Sequence, residues 1–301
     1  MKYVNLSNSL KMPYISYGTS IININTDSKI RNIKSHVGKI LKLDFKSLKK
    51  ESGLKKILKY MDRNNDISMI DTSSAYGASE YIIGKNINNK NRNKFFIVTK
   101  LSNKDQYNSN VEKALRLSLR KLNIDCVDTY LMHWPVTEKY LDSWKQMEQC
   151  YKKGLCKSIG VCNCNIHHLE EIKKIAEIKP MINQIECHPL FTQNDLREYC
   201  KKENIKVMAY TSTARMDDRL KNTCIPELAK KYNKTIAQII LKWHTQIGNI
   251  PIFNTNSVKH YKENLNIEDF EMTEDEINRI SSANINSRLR YDPDNCNFRK
   301  L

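Results

Sequence analysis

Short apolar runs alternate with longer amphipathic segments along most of this chain. Each run is bounded by polar and turn residues, as is typical of buried strands. The longer segments carry apolar residues three and four positions apart, which predicts helices with one buried face. Strand and helix alternate about eight times, and no linker rich in glycine or proline divides the chain. This order predicts parallel strands joined by crossover helices.

The pattern also gives approximate bounds for each element. A hairpin is predicted over residues 3–12, around the turn Ser7-Asn8-Ser9. Strands are predicted at residues 13–20, 68–71, 95–99, 129–132, 158–161, 181–186, 205–210 and 250–253. Helices are predicted at residues 54–61, 79–87, 111–122, 141–151, 166–178, 193–203, 225–232, 236–246, 258–265 and 274–281. Apolar residues at 30, 33, 37, 40 and 41 predict a further surface helix in the polar, lysine-rich segment 21–53.

Four ionisable side chains lie at or just beyond the ends of three predicted strands. Asp71 and Lys100 each end a strand, His133 follows a third, and Tyr76 lies in the loop beyond Asp71. A tyrosine hydroxyl titrates near ~10, and a neighbouring ammonium lowers that pKa. Asp71 would keep the lysine charged, while His133 would hydrogen-bond the same oxygen and orient it. The four groups together predict a proton donor for a carbonyl oxygen.

The number of strands and the chemistry at their ends favour a closed barrel over an open sheet. We therefore predict an α/β fold over residues 1–301, a single-domain (β/α)8 TIM barrel. No Gly-x-Gly-x-x-Gly motif follows a predicted strand, so the common dinucleotide-binding motif is missing. Taken alone, this absence argues against a nicotinamide enzyme.

Three stretches of the sequence resemble the signatures of the aldo-keto reductases. They are residues 70–80, 98–100 and 131–135, which read IDTSSAYGASE, VTK and LMHWP. The resemblance is specific, because several spaced motifs match in order, and it covers about residues 12–298. Members of this family bind nicotinamide cofactors without the glycine-rich motif, so its absence here is neutral.

The resemblance implies a function for each of the four ionisable groups. The catalytic aspartate, tyrosine, lysine and histidine would be Asp71, Tyr76, Lys100 and His133. It also implies that the N-terminal β-hairpin closes the barrel floor and that a C-terminal loop lies over the active site.

Two further motifs imply a cofactor site, GVCN at residues 160–163 and NQIECHP at residues 183–189. In the family, the residues matching Asn163 and Gln184 hold the nicotinamide carboxamide, for which amide side chains are suited. Tyr210 would stack on the ring. The implied cofactor residues are Gly18, Thr19, Asp71, Cys162, Asn163, Gln184, Tyr210, Thr211, Asn254, Thr255, Ser257, His260, Glu263 and Asn264.

Three of these positions differ from the family's usual residues, and two of them bear on which cofactor is used. Cys162 stands where the family has a serine and is a poorer hydrogen-bonding partner. Many members carry a lysine at the position of Asn254 and an arginine at that of His260, and these clamp the 2′-phosphate of NADPH. The cofactor preference of the family therefore implies NADP(H), while the neutral Asn254 means that NAD(H) is not excluded.

The rest of residues 251–265 resembles the family's adenosine-phosphate loop and following helix. A helix N-terminus near Ser257 would present free amides to phosphate. Glu263 and Asn264 match the pair that hold the adenine.

The resemblance further implies that Tyr76, His133 and Trp134 contact the substrate, with Trp134 as a pocket wall. The remaining walls would come from the loop at residues 213–222 and the tail at residues 288–301. These variable segments set which carbonyl compound binds.

Net charge raises the alternative of a nucleic-acid partner. The chain carries a formal charge of +17 and has a pI near 9.4, and such a balance can indicate nucleic acid or acidic partners. The lysines are dispersed, however, which favours an ordinary solvated surface. No specific nucleic-acid partner is expected.

The nine cysteines are scattered, which is most simply explained by free thiols in a reducing compartment. Cys162 and Cys164 precede His167 and His168, but this is not a standard ligand spacing, and no metal is predicted. No N-terminal apolar segment is long enough for a signal peptide or a membrane span. These features predict a soluble cytoplasmic protein with no membrane partner.

Taken together, the residues and the resemblance predict an NAD(P)H-dependent carbonyl reductase. Hydride would pass to an aldehyde or ketone carbon while Tyr76 protonates the oxygen. A monomer acting on a small-molecule carbonyl substrate is expected. Two alternatives stay open: a regulatory subunit that binds cofactor and a partner protein with little turnover, and a nucleic-acid-binding protein.

Overall fold

Ten strands form the two sheets of the structure, a computed structural model that describes residues 2–20, 45–64 and 66–298. Strands β1 (Tyr3–Asn5) and β2 (Lys11–Pro13) pair antiparallel as a hairpin. The other eight are β3 (Ser16–Gly18), β4 (Ser68–Asp71), β5 (Phe95–Leu101), β6 (Thr129–Met132), β7 (Ile159–Cys162), β8 (Ile182–Glu186), β9 (Lys206–Tyr210) and β10 (Ile250–Phe253). They pair in parallel and close into a barrel in chain order, with β10 joining β9 to β3.

Helices follow the barrel strands in the described residues. They are α1 (Phe45–Arg63), α2 (Ser79–Gly84), α3 (Asn103–Tyr107), α4 (Val111–Leu122), α5 (Tyr140–Lys152), α6 (Ile166–Ile175), α7 (Asn194–Lys202), α8 (Ile225–Tyr232), α9 (Ile236–Gln246), α10 (Val258–Leu265) and α11 (Glu274–Ser281). Short 3-10 turns occur at Arg92–Lys94, Ala214–Met216, Asp218–Asn222 and Pro293–Asn295. The predicted (β/α)8 TIM barrel is confirmed.

The interior of the barrel is filled by one set of apolar side chains. This set includes Met69 and Phe96 from the strands and Leu6 and Met12 from the hairpin. Because Leu6 and Met12 are buried against the strand residues, the hairpin closes one end of the barrel, as predicted. A second and larger core lies between the strands and the surrounding helices. Burial on both faces explains why the strands read as apolar runs.

Some predicted bounds shift in the structure. The first barrel strand begins at Ser16 instead of residue 13, because Pro13 pairs with Tyr3 in the hairpin. Helix α6 ends at Ile175, and the next residue, Ala176, is already extended. Of the lysine-rich segment 21–53, the predicted helix at residues 30–41 lies outside the described residues.

None of the helices in the described ranges has a stretch both long and apolar enough to cross a membrane.

Candidate active site

A buried ion pair lies at the carboxyl ends of β4 and β5. Asp71 is the last residue of β4, and Lys100 lies on the neighbouring β5. The Nζ of Lys100 donates to Oδ1 of Asp71 at 2.6 Å and to the carbonyl oxygen of Thr72 at 2.9 Å. Burial is the largest single influence and lowers the pKa of Lys100, but its neighbours, led by the Asp71 carboxylate, together outweigh it, and the net pKa is raised. Lys100 is therefore a charged ammonium inside the barrel.

Tyr76 lies in the turn after β4, close to this ion pair. Its N–H donates to the carbonyl oxygen of Ser73 at 3.0 Å, and its own carbonyl accepts from the N–H of Ser79 at 3.1 Å. The Lys100 Nζ is 5.0 Å from the centre of the Tyr76 ring. Burial raises the pKa of Tyr76 to about 12, and Lys100 is the main influence that opposes the rise. The ammonium acts in the predicted direction, but burial has the larger effect, so the phenol is protonated at neutral pH.

His133 follows β6 and packs edge-on against Tyr76. Their ring centres are 5.7 Å apart with an interplanar angle of 77°. Burial lowers the pKa of His133 to about 3, and the charges of Lys100 and Arg290 act in the same direction. The imidazole is therefore neutral at physiological pH. Its Nδ1 is buried and has no hydrogen-bond partner among the described residues.

Two buried amide side chains connect the strands beside these groups. Nε2 of Gln184, on β8, donates to Oδ1 of Asp71 at 2.8 Å. Nδ2 of Asn163 donates to the carbonyl oxygen of His133 at 3.0 Å, and its Oδ1 accepts from the hydroxyl of Tyr210 at 2.7 Å. The backbone of Asn163 is left-handed, with φ of 61°, a conformation that asparagine tolerates better than most residues. The amides are thus held in fixed positions.

A cavity of about 790 Å³ opens at this end of the barrel. Its walls come from the carboxyl ends of several strands and from the loops that follow them, which is where TIM barrels place their active sites. The predicted site residues that line it are Gly18, Asp71, Tyr76, His133, Trp134, Asn163, Gln184, Tyr210, Thr211, Asn254 and Thr255. The structure therefore brings most of the predicted residues together.

Three predicted residues are buried beside the cavity without lining it. Lys100 contacts Asp71 as described, and the hydroxyl of Thr19 donates to the carbonyl oxygen of Asp71 at 3.0 Å. Cys162 packs among the apolar side chains of the barrel interior. Burial raises the pKa of the Cys162 thiol well above its usual range, so the side chain is an inert thiol and not a thiolate.

The remaining predicted residues belong to helix α10, which follows the cavity-lining loop after β10. Ser257 is the N-cap of this helix, and its hydroxyl accepts from the N–H of His260 at 3.4 Å. The helix begins where the sequence predicts. His260, Glu263 and Asn264 lie on it and do not line the cavity.

Several residues that line the cavity were not predicted as site residues from the sequence. Lys50, Arg215, Met216 and Arg290 all line the cavity. Met216 and Arg215 fall in the loop, and Arg290 in the tail, that were expected to shape the pocket. Lys50 lies on α1, in a segment whose sequence has little readable pattern. The sequence did not predict that Lys50 lines the cavity, because this depends on how α1 packs against the barrel.

The close approach of α1 to the loop after β10 depends on a glycine. A Cβ at Gly53 would lie 2.7 Å from the carbonyl oxygen of Asn256 and 3.0 Å from its Cα. No larger side chain fits there without a shift of the backbone. This contact places the first turns of α1 beside the loop that contains Asn254.

The C-terminal tail lies against Trp134. The rings of Tyr291 and Phe298 pack on the Trp134 indole at centre distances of 6.4 and 5.3 Å. Nδ2 of Asn103 holds the tail by donating to the carbonyl oxygens of Cys296 and Phe298. The tail thus packs against Trp134, one of the residues that line the cavity.

The cysteines and histidines near residue 165 do not gather in one cluster. Cys162 and Cys164 are buried. His167 and His168 lie instead beside Asp294, with Nε2 to Oδ1 distances of 3.1 and 3.6 Å. Nδ1 of His168 accepts the N–H of Asn165 as part of a capping box at the start of α6.

Comparison with known proteins identifies the family. The sequence profile described as the Aldo/keto reductase family matches residues 46–285, which is most of the chain. The chain belongs to the aldo/keto reductase family. This membership places it among the oxidoreductases and agrees with the motifs around Asp71, Lys100 and His133.

Relatives of this aldo/keto reductase include bacterial enzymes. The oxidoreductase YtbE of Bacillus subtilis is 42% identical over 235 residues, 76% of this chain and 83% of that protein. Glyoxal reductase of the same organism is 39% identical over 237 residues, 78% of this chain and 85% of that protein. Among solved structures, a silkworm (Bombyx mori) aldo-keto reductase complexed with NADPH has a TM-score of 0.79 and 27% identity, covering 95% of this chain and 89% of that one.

Proposed function

We propose that this aldo/keto reductase uses a nicotinamide cofactor to reduce an aldehyde or ketone to an alcohol, with Tyr76 as the general acid. The observation that carries the proposal is the arrangement around Tyr76. A charged Lys100 and a neutral His133 flank one protonated phenol at the wall of a large cavity. The names of the glyoxal reductase relative and of the NADPH-complexed structure support it.

The cavity fits a nicotinamide carboxamide by its donors and acceptors. Gln184 uses Nε2 for Asp71, which leaves its Oε1 to accept from an amide. Asn163 uses one hydrogen of Nδ2 and one lone pair of Oδ1, so each atom retains a second bonding position. Tyr210 lines the same space. These three residues would hold the nicotinamide, which supplies the hydride when the cofactor is bound.

In this mechanism, the protein controls the proton. Tyr76 is protonated at neutral pH and donates a hydrogen bond to the carbonyl oxygen, which polarises the carbonyl group. The Lys100 ammonium stabilises negative charge on the phenol oxygen as the proton leaves. His133, being neutral, donates one ring N–H to the same carbonyl oxygen without giving up a proton. Asp71 keeps Lys100 charged and in place.

The other predicted residues have proposed roles in binding the substrate and the cofactor. Trp134 and the tail would form the walls around the substrate. The loop at Asn254 and Thr255 and helix α10, through Ser257, His260, Glu263 and Asn264, would hold the adenosine phosphate and adenine. NADP(H) is the proposed cofactor, because the solved relative was complexed with NADPH. We also propose that residues 1–301 form one domain, since the eight described parallel strands, the first beginning at Ser16 and the last ending at Phe253, close into a single barrel.

A steady-state assay tests the proposal. Purified protein is mixed with NADPH and with glyoxal, methylglyoxal or an aromatic aldehyde, and cofactor oxidation is followed by absorbance. We expect turnover that depends on both substrates, and product analysis should find the alcohol. Tight cofactor binding without turnover on any carbonyl compound would instead support a regulatory subunit.

A further inference from the structure

More cationic than anionic side chains line the cavity. Asp71 is an acidic lining residue, and its carboxylate is already bonded to Lys100. Lys50, Arg215 and Arg290 contribute three cationic groups to the lining. Among the described residues, none of these three forms an ion pair with a carboxylate. The cavity therefore presents unneutralised positive charge to whatever enters it.

Arg290 is the cation at the substrate end of the cavity. Its charge contributes to lowering the pKa of His133 and opposes the burial-driven rise in the pKa of Tyr210. Both effects place the guanidinium near His133, which would face the substrate, and near Tyr210, which would hold the nicotinamide. The neighbouring residue Tyr291 packs on Trp134, which places this part of the tail beside the proposed carbonyl site.

The backbone under Arg290 is anchored to the barrel. The N–H groups of Leu289 and Arg290 donate to the two carboxylate oxygens of Glu186 at 2.7 and 3.0 Å. Glu186 is buried at the end of β8. The tail is thus held by a charge-assisted pair of bonds at the residue whose side chain lines the cavity, which reduces the entropy lost when that side chain binds a ligand.

The charge of Arg288, two residues earlier, also opposes the rise in the pKa of Tyr210, but its side chain lies elsewhere. Its guanidinium lies 4.7 Å from the centre of the Phe191 ring, and it does not line the cavity. The tail therefore contains two arginines of similar charge, one stacked on an aromatic ring and one facing the cavity. Arg288 serves as a matched control for Arg290.

We propose that Arg290 binds the carboxylate of an anionic carbonyl substrate, so that the protein acts on aldehydes or ketones that also carry a carboxylic acid. The inference rests on the proposed reductase function. A planar guanidinium matches a carboxylate with two parallel N–H···O bonds. Both carboxylate oxygens of Glu186, the buried acid beside this part of the tail, already accept backbone N–H groups, and no described carboxylate forms an ion pair with Arg290. A carboxylate bound there would fix the substrate while Tyr76 and His133 hold its carbonyl oxygen.

The test compares two aldehydes of similar shape, 4-carboxybenzaldehyde and 4-methylbenzaldehyde, with NADPH. In Arg290→Leu, we expect kcat/KM for the acid to fall at least about tenfold, mainly through KM, a modest loss because Arg290 is solvent-exposed. The methyl compound should change by less than about threefold. Arg290→Lys should retain part of the preference for the acid, and Arg288→Leu should leave the ratio between the two aldehydes unchanged.

A binding measurement provides a second readout that needs no turnover. Titration of 4-methylbenzoate, which has no alcohol or aldehyde group to react, into protein saturated with NADP⁺, followed by tryptophan fluorescence, should show weaker binding in Arg290→Leu and unchanged binding in Arg288→Leu. Equal losses for the acid and the methyl aldehyde, or equal effects of the two arginines, would overturn the proposal. So would a larger Arg290 effect on glyceraldehyde 3-phosphate than on the carboxylate.

Different results would contradict the reductase function and the carboxylate site at Arg290. If the wild type reduces 4-methylbenzaldehyde but Arg290 has no effect on the acid, the reductase function stands and the carboxylate site is wrong. If the wild type reduces neither of these aldehydes nor glyoxal nor methylglyoxal, but binds the carboxylate through Arg290, the reductase function is wrong and the anion site stands.

Discussion

The Nζ of Lys100 lies 2.6 Å from Oδ1 of Asp71, and Nε2 of Gln184 donates to the same oxygen at 2.8 Å. One carboxylate oxygen thus joins the residue proposed to tune the acid to a residue proposed to hold the cofactor. Both charged side chains are buried, so the pair is stable only while each charge keeps its partner. A change at Asp71 would disturb the proton donor and the cofactor site together.

The Tyr76→Phe variant tests the proton donor. It removes the hydroxyl and leaves the ring packed against His133. We expect kcat to fall by ~10²–10⁴-fold, the usual contribution of general acid catalysis, with little change in the dissociation constant of NADPH. Steady-state kinetics and fluorescence titration measure the two quantities. Retention of more than about a tenth of wild-type activity would show that another group donates the proton.

The Lys100→Met variant tests how the phenol is tuned. Lys100 holds the pKa of Tyr76 down against burial, which raises it to about 12. Without the ammonium, that pKa rises further. Alcohol oxidation requires the phenolate, so its rate rises with pH toward this pKa, and the rise should move to higher pH in the variant. Carbonyl reduction at neutral pH should be lost, because the phenol has become a weaker acid. An unchanged pH profile of the residual oxidation would contradict the role of Lys100.

Loss of folding could mimic this result, so a double variant is needed. Lys100→Met leaves the Asp71 carboxylate buried without its counter-charge, which costs about 3–5 kcal/mol of stability. Combining it with Asp71→Asn removes both charges and should restore part of that loss. Denaturant unfolding of the two proteins measures the difference. Activity should stay low in both, because neither contains the ammonium.

The sequence predicted the barrel and the gathering of the four ionisable groups for a physical reason. Parallel strands in a closed barrel bring their carboxyl ends to one face. Asp71, Lys100 and His133 therefore had to meet once each was placed at a strand end. Helix α4 and strand β10 have the predicted bounds, since their apolar spacing alone decides where they begin and end.

Other features depend on contacts distant in sequence and could not be predicted. Helix α3 has five residues and no apolar period, and it is held by side-chain bonds from Asn103 to the tail and from Gln106 to Trp134. Arg290 enters the cavity because Glu186, about a hundred residues earlier, binds its backbone. Lys50 reaches the cavity only through the packing of α1 at Gly53.

The Cys162→Ser variant tests whether this residue contacts the cofactor. The sequence resemblance assigns it a cofactor role, whereas the structure packs it in the barrel interior. A serine there buries a hydroxyl among apolar side chains, which costs about 1–3 kcal/mol unless it finds a partner. We expect lower stability and a dissociation constant for NADPH within about threefold of wild type. A larger change in affinity, in either direction, would show that residue 162 contacts the cofactor. Cys162→Ala provides the apolar comparison.

The last prediction concerns what binds the 2′-phosphate of NADPH, if NADPH is the cofactor. A phosphate requires fixed cations, and Asn254, which lines the cavity where many relatives carry a lysine, is neutral. Lys50 lines the same cavity, and the contact between Gly53 and Asn256 keeps its helix beside this loop. We therefore expect Lys50 to replace the missing lysine.

Three variants test whether Lys50 binds the 2′-phosphate of NADPH. Lys50→Ala should weaken NADPH binding by ~1–3 kcal/mol, the scale of hydrogen bonds to charged groups, and should weaken NADH binding much less. Lys56→Ala removes an exposed lysine of the same helix that does not line the cavity, and should change neither constant. Asn254→Lys in the Lys50→Ala background should restore the preference for NADPH. Dissociation constants for both cofactors, measured by fluorescence titration, check each statement. Equal losses for NADPH and NADH would place Lys50 at the pyrophosphate that both cofactors share, and the 2′-phosphate would then need a different cation.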